Sequence, residues 1–291
     1  MNSRPAIALL ALASSLGAQV PSPRGPQHPA RLKVFISIDM EGLAGVVTGG
    51  PVSSNNPDYP HFRKIMADEA SAAVDGAFKA GATEVIVRDS HGAKENILPG
   101  DLDPRARLLR GQSTGGKNMM EGIDSTFGAV VFVGYHAKAG TPNAILEHTS
   151  TGNVVDLSIN GVSLPEGGYN AMVAGLYGVP VVFAAGDKAL VDQIRSLLGP
   201  IEGVAVKEEI LDAVNSMSPK SAQDAIRAGV EKAVRNRASF KSYKPAGPYT
   251  MVLKVKTARP IYAGATQTGP LEFTFSSPDL IKVLEAFNAM K

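Results

Sequence analysis

Asp39 and Glu41 stand two positions apart at the close of the apolar run Val34-Phe35-Ile36-Ser37-Ile38. Side chains alternate along a strand, so both carboxylates can project to the same side. Two carboxylates held together repel unless a cation lies between them. Taken alone, the pair fits equally well one helix-capping acid beside one solvated acid. The pattern recurs, however. Arg88-Asp89-Ser90-His91 follows the run Glu84-Val85-Ile86-Val87, and Gly134-Tyr135-His136 follows Ala129-Val130-Val131-Phe132-Val133. In an open parallel sheet the carboxyl ends of the strands border the ligand crevice, which would gather Asp39, Glu41, His91 and His136 in one place. Glu166, in Pro165-Glu166-Gly167-Gly168-Tyr169-Asn170, is a fifth ligand candidate, because its glycine neighbours let the backbone come close to a buried centre. Its other reading is a helix N-terminal acid that complements the dipole. Asp89 is expected behind His91, orienting the ring through its second nitrogen.

Such a donor set suits a metal. The chain has no cysteine, so any ion must rest on nitrogen and oxygen, a set that favours zinc, with manganese or iron as alternatives. Two ions roughly 3.5 to 4 Å apart could share one carboxylate, for which Asp39 is the candidate, and bring the pKa of a water toward about 7. The same ions would polarise a scissile carbonyl, which removes the need for a protein nucleophile. His148, in Leu146-Glu147-His148-Thr149, is then either a general acid/base or oxyanion donor beside the metals, or an ordinary loop histidine. His28 and His61 fall outside the strand-end pattern. Gly111-Gln112-Ser113-Thr114-Gly115-Gly116-Lys117-Asn118 has the spacing of a phosphate-binding loop, but Asn118 stands where a Ser or Thr should hold magnesium.

The elements that position these residues read as an α/β fold, a mostly parallel central sheet flanked by helices, with a smaller α+β C-terminal domain. Near-continuous apolar runs imply strands buried on both faces, the fourth at Val179–Phe183. A helix over Tyr59–Lys79, closed by Gly81, joins the first two strands in a right-handed crossover. Further helices are expected over Asn170–Tyr177 and Lys188–Leu198. Beyond Glu202, strands at Val204–Ile210 and Tyr249–Lys256 alternate with helices opened by Ser218-Pro219 and Ser277-Pro278. The expected organisation is a signal peptide over 1–18, an extended lead-in over 19–31, a metal-binding α/β domain over 32–200 and an α+β domain over 201–291. Arg4, the apolar stretch Ala6–Leu16 and the small residues up to Ala18 make the signal, and predict a periplasmic or secreted protein with no membrane attachment after cleavage. With 29 basic and 27 acidic side chains scattered along the chain, no nucleic-acid partner is expected.

Five segments, in order and at similar spacing, resemble the D-aminopeptidase family of bacterial dipeptide-transport operons, peptidase family M55. They are Ser37-Ile38-Asp39-Met40-Glu41-Gly42, Arg88-Asp89-Ser90-His91, Gly134-Tyr135-His136-Ala137, Glu147-His148-Thr149 and Glu166-Gly167-Gly168-Tyr169-Asn170-Ala171. The resemblance extends from about Lys33 to the end of the chain and is strongest through Asp187. It implies a dinuclear zinc site, two Zn2+ per subunit, on Asp39, Glu41, His91, His136 and Glu166, with His148 as the catalytic side chain. It also implies release of N-terminal D-amino acids such as D-alanine from short peptides, and a ring-shaped homo-oligomer. From the residues alone, a dinuclear phosphoesterase using Arg88 and Lys138, or a noncatalytic periplasmic peptide- or metal-binding protein, stays open beside this reading.

Overall fold

The computed structural model describes Met1 and residues 31–291, except Thr114 and Asp212. The expected signal peptide and nearly all of the lead-in lie outside the described residues. The first sheet opens with β1 (Lys33–Ile38), whose side chains divide between two cores. Val34, Ile36 and Ile38 enter one core, and Phe35 enters the other. That division is why the run is nearly continuously apolar instead of alternating.

The 21-residue helix α1 (Tyr59–Lys79) carries the chain to β2 (Glu84–Asp89), which pairs parallel to β1. After β3 (Arg107–Leu109), the chain crosses to the other side of β1 and forms β4 (Phe127–Tyr135). There follow β5 (Val154–Ile159), β6 (Val162–Ser163), α2 (Glu166–Leu176), β7 (Val181–Asp187), α3 (Lys188–Leu198), β8 (Glu202–Ile210), β9 (Ala213–Ser216) and α4 (Pro219–Arg235). The chain ends in β10 (Tyr249–Val255), β11 (Thr266–Gly269), β12 (Glu272–Ser277) and α5 (Leu280–Met290).

Seven strands form the main sheet in the order β3-β2-β1-β4-β7-β8-β9, parallel except at β9. Five form an antiparallel sheet in the order β11-β12-β10-β5-β6. Helices α1 and α4 pack on each other and cover one face of the main sheet. The second core joins the opposite face to α2, α5 and the smaller sheet. Residues on both sides of position 200 contribute to each sheet. Strands β8 and β9 extend the main sheet, because the Val204–Ile210 run finds its partner in β7. The hairpin β5-β6 supplies the smaller sheet with strands from the N-terminal part. Residues 31–291 accordingly form one compact unit. No described helix is long and apolar enough to cross a membrane.

Helix α2 starts at Glu166, four residues before its expected start, because extended Pro165 takes the N-cap position and the chain turns helical at once. Helix α4 starts where expected, with Ser218 accepting from the Ser221 amide. Helix α5 instead uses Asp279, whose carboxylate accepts from the Ile281 amide, while Ser277 ends β12.

The strand order fixes where a ligand crevice can lie. From β1 the chain leaves toward β2 and later returns to β4 on the opposite side, so β1 and β4 flank a topological switch point. The carboxyl ends of strands at such a point border an open crevice.

Candidate active site

The carboxyl ends of β1 and β4 come together through backbone contacts that only glycine allows. The Asp39 amide donates to the Val133 carbonyl at 2.9 Å, and the Gly42 amide to the Gly134 carbonyl at 2.7 Å. A Cβ on Gly42 would lie 1.9 Å from the Tyr135 carbonyl oxygen. One on Gly134, at φ +68°, would lie 2.1 Å from the Asp39 carbonyl oxygen. Asp39, Glu41 and His136 are thereby buried together, at 3%, 7% and 0% exposure.

His91 extends from the end of β2 into the same cluster. Its Nε2–H donates to the Val52 carbonyl at 2.9 Å, which leaves Nδ1 facing Asp39 Oδ1 and Glu41 Oε2, each at 3.0 Å. A carbonyl cannot donate, so the neutral ring would turn a lone pair toward two anions. That arrangement requires a cation at Nδ1, either a proton or a metal ion. Burial alone would lower the His91 pKa, but the Glu41 charge and the two carboxylate hydrogen bonds raise it to about 11 when the cation is a proton. Burial and the neighbouring Glu41 charge push Asp39 up to about 6. Glu41 is also raised by burial, yet the His91 charge overrides this and holds it well below the ordinary carboxylate range.

His136 gives the clearest geometry. Its Nδ1–H donates to the Ala137 carbonyl at 3.0 Å, so Nε2 carries the lone pair of the neutral ring. Nε2 is buried without a hydrogen-bond partner, 3.6 Å from Asp39 Oδ2 and 3.5 Å from Glu166 Oε1. Those separations are too long for hydrogen bonds. Two donors each about 2.1 Å from a tetrahedral zinc ion lie about 3.4 Å apart, which is the spacing found. Asp39, Glu41 and His136 each offer an atom to one compact group, and His136, His148 and Glu166 to a second. The donors therefore fit a metal.

Glu166 enters from the first turn of α2, and its Oε1 accepts the Ser150 amide at 2.6 Å. Burial works to raise its pKa, but the adjacent His136 and His148 lower it to about 2. His148 stacks on His136 with centroids 3.9 Å apart, and its Nδ1–H donates to the Leu146 carbonyl at 2.9 Å. Its Nε2 lies 3.6 Å from Glu166 Oε1. The two imidazoles differ in access. The His136 side chain is fully enclosed, whereas that of His148 is 25% exposed and lines a cavity of about 410 Å³. Asp39, Glu41, His91 and Glu166 line the same cavity.

All six residues singled out from the sequence thus meet in one place. Asp89 has a different task from the one expected. It accepts from the Asn96 amide, the Asn96 side chain and the Ile97 amide, at 2.6 to 2.8 Å, and so fixes the turn after His91, not its ring. The ring is oriented by the Val52 carbonyl, a backbone atom that no sequence pattern announces. Neither Arg88 nor Lys138 lines the cavity. Arg88 is buried, and Lys138 lies 3.8 Å from Asp156. Gln112, Ser113, Gly115 and Asn118 line the cavity, but Asn118 opens a three-residue 3-10 turn, Asn118–Met120, and not the α-helix that a phosphate-binding loop requires.

Sequence reasoning also missed three residues. Lys94, Ser150 and Lys291 line the cavity, the last from just beyond α5. Lys94, Leu146 and Ser150 are non-glycine residues with φ of +62°, +56° and +66°. Left-handed backbone at such positions costs on the order of 1 kcal/mol or more and is kept where the surroundings demand it. Here the Leu146 carbonyl orients His148 and the Ser150 amide binds Glu166.

Comparison with known proteins agrees with the geometry. The chain is 34% identical to the D-aminopeptidase of Bacillus subtilis (strain 168) over 270 residues, covering 89% of this chain and 95% of that protein. Its fold matches the solved Zn-dependent D-aminopeptidase DppA from Bacillus subtilis, a self-compartmentalizing protease, with a TM-score of 0.84 at 31% identity. That match covers 88% of this chain and 96% of the other. Residues 32–289 match the model of the D-aminopeptidase family, and the chain belongs to peptidase family M55.

Proposed function

We propose that this protein is a zinc-dependent D-aminopeptidase that removes N-terminal D-residues such as D-alanine from short peptides. The observation that carries the reading is the buried, unpartnered His136 Nε2, held at ligand spacing from Asp39 and Glu166. Asp39, Glu41, His91, His136 and Glu166 would hold two zinc ions, with Asp39 shared between them. When bound, the pair lowers the pKa of a water and polarises a scissile carbonyl.

The chain's own residues supply the rest. Val52 and Ala137 carbonyls fix the tautomers of His91 and His136, so that each presents a lone pair to the cluster. His148 is held in the same way by Leu146, leaving Nε2 free to take a proton and later return it to the leaving amine. His148 is assigned as the catalytic side chain because, of the two imidazoles that line the cavity, it is the more exposed, and His91 Nδ1 is engaged by Asp39 and Glu41. The homologue's description as self-compartmentalizing supports assembly of this chain into a ring of like subunits. The pattern in residues 1–18 supports export, with a mature N-terminus near Gln19.

The test is hydrolysis of matched dipeptides by zinc-reconstituted protein. D-Alanyl-D-alanine should be cleaved and L-alanyl-L-alanine should not. Hydrolysis of aryl phosphates with both dipeptides left intact would instead establish the phosphoesterase reading.

A further inference from the structure

Two lysines share the cavity with the acidic cluster, and the reaction as described gives neither a role. Lys94 is 6% exposed, and its Nζ makes one long hydrogen bond, 3.4 Å to the Gly92 carbonyl. Lys291 donates to Ser150 Oγ at 2.5 Å. An ammonium has three donors, so both retain unused ones among the described residues. Neither forms a salt bridge with any described carboxylate within 4.0 Å. Burial depresses the pKa of each, against the nearby Glu166 charge, which acts to raise both, and the Lys94 charge lowers that of Lys291 further. Lys94 is buried and Lys291 half-buried, and two such cations beside one cavity without an ion-pair partner favour an anion between them. Lys94 also holds a left-handed backbone conformation, a second cost borne at the same spot. Ser113, Gln112 and Asn288 add neutral hydrogen-bonding groups to the wall.

We propose that Lys94 and Lys291 bind the free α-carboxylate of a short peptide whose N-terminal residue lies at the Asp39–Glu166 cluster. The inference rests on the peptidase reading and gives it a substrate class, peptides short enough to place both ends in one cavity of about 410 Å³. A charge-assisted contact of this kind is made before and during the reaction alike, so its loss should raise KM more than it lowers kcat. It also sets a length limit, because a longer peptide cannot reach the lysines with its carboxylate while its amino end is at the metals.

The experiment compares D-alanyl-D-alanine with its C-terminal carboxamide on the zinc-loaded protein, for wild type, Lys94→Met and Lys291→Met. Calorimetry is run in parallel with the hydrolysis-resistant reduced-bond analogue, again as acid and as carboxamide. Wild type should prefer the acid by roughly ten- to a hundredfold in kcat/KM and in affinity. Each variant should reduce that preference several-fold at unchanged zinc content. Lys94→Arg, which keeps the charge, should retain most of it. Equal treatment of acid and amide by wild type, or an undiminished preference in both Met variants, overturns the assignment. If no peptide is hydrolysed the peptidase reading falls, and the calorimetric comparison still decides the lysines.

Discussion

The two ends of the cavity are built in contrasting ways. At the acidic end, the candidate ligands Asp39, Glu41, His91 and His136 stand at the carboxyl termini of β1, β2 and β4, where a parallel sheet holds the strands to one another by backbone hydrogen bonds. At the basic end, Lys94 comes from a turn and Lys291 from the segment after α5. The acidic end is buried between the main sheet and its two cores, as suits a metal that needs donors within tenths of an ångström. The basic end needs only to present charge, and side chains long enough to adjust suffice there.

The largest effect expected from breaking this contrast is at His136. His136→Ala should lose bound zinc and reduce peptide hydrolysis to background, because it removes the buried Nε2 that faces both Asp39 and Glu166. Asp39→Ala should lose both ions if that carboxylate is shared, and retention of two equivalents on elemental analysis would remove it from the bridging position.

His148→Ala should be milder and different in kind. Zinc content should persist while kcat falls by roughly a hundredfold or more with little change in KM, as for loss of a positioned acid/base or oxyanion donor. Because His148 Nε2 sits at ligand spacing from Glu166, zinc analysis of this variant is the discriminating measurement. Loss of zinc in step with His136→Ala would make it a ligand.

A smaller effect is expected one layer back. Buried Lys207, on β8, donates from Nζ to the carbonyls of Glu41 and Val46 at 2.5 Å each, and so anchors the turn that follows the paired carboxylates. Lys207→Met should weaken zinc affinity by about tenfold in a competition titration with a chelating dye, within the range for residues that support ligands. Unchanged affinity would show that the turn holds without it.

These residues also mark how far the sequence could be read. Periodicity placed β1, β2, β4, β7, α1 and α3, because long apolar runs and one well-spaced helix leave few alternatives. The clustering of the candidate site residues was legible to the same extent, since residues at strand ends inherit their positions from the strands. Lys207, Val52 and Lys291 were not legible. Each acts through a contact between parts of the chain far apart in sequence, and a lysine or a carbonyl looks alike whether or not it is used. The hairpin β5-β6 escaped notice for a related reason, because Val154–Ile159 alternates weakly and is stabilised by β10, about ninety residues later.

A further effect concerns stability and leaves the chemistry untouched. Burial pushes Glu69 up to about 7, against the Ala44 amide hydrogen bond and the Lys207 charge that act to lower it. A raised carboxyl pKa stabilises the fold fully below the unfolded value near 4.5, and that contribution is lost as pH rises through about 7. Glu69→Gln keeps the acceptor for Ala44 without the charge. Its melting temperature relative to wild type should therefore climb between pH 4.5 and pH 7, reflecting at most about 3 kcal/mol. A difference independent of pH would mean that Glu69 does not titrate in that range.

The most direct measurement is a zinc titration of chelator-stripped protein, following bound metal and hydrolysis of D-alanyl-D-alanine in the same samples. Activity should be absent without metal and rise with zinc to a plateau at two ions per chain. Full activity in the metal-free protein, or a plateau reached with no zinc retained by the chain, would contradict this.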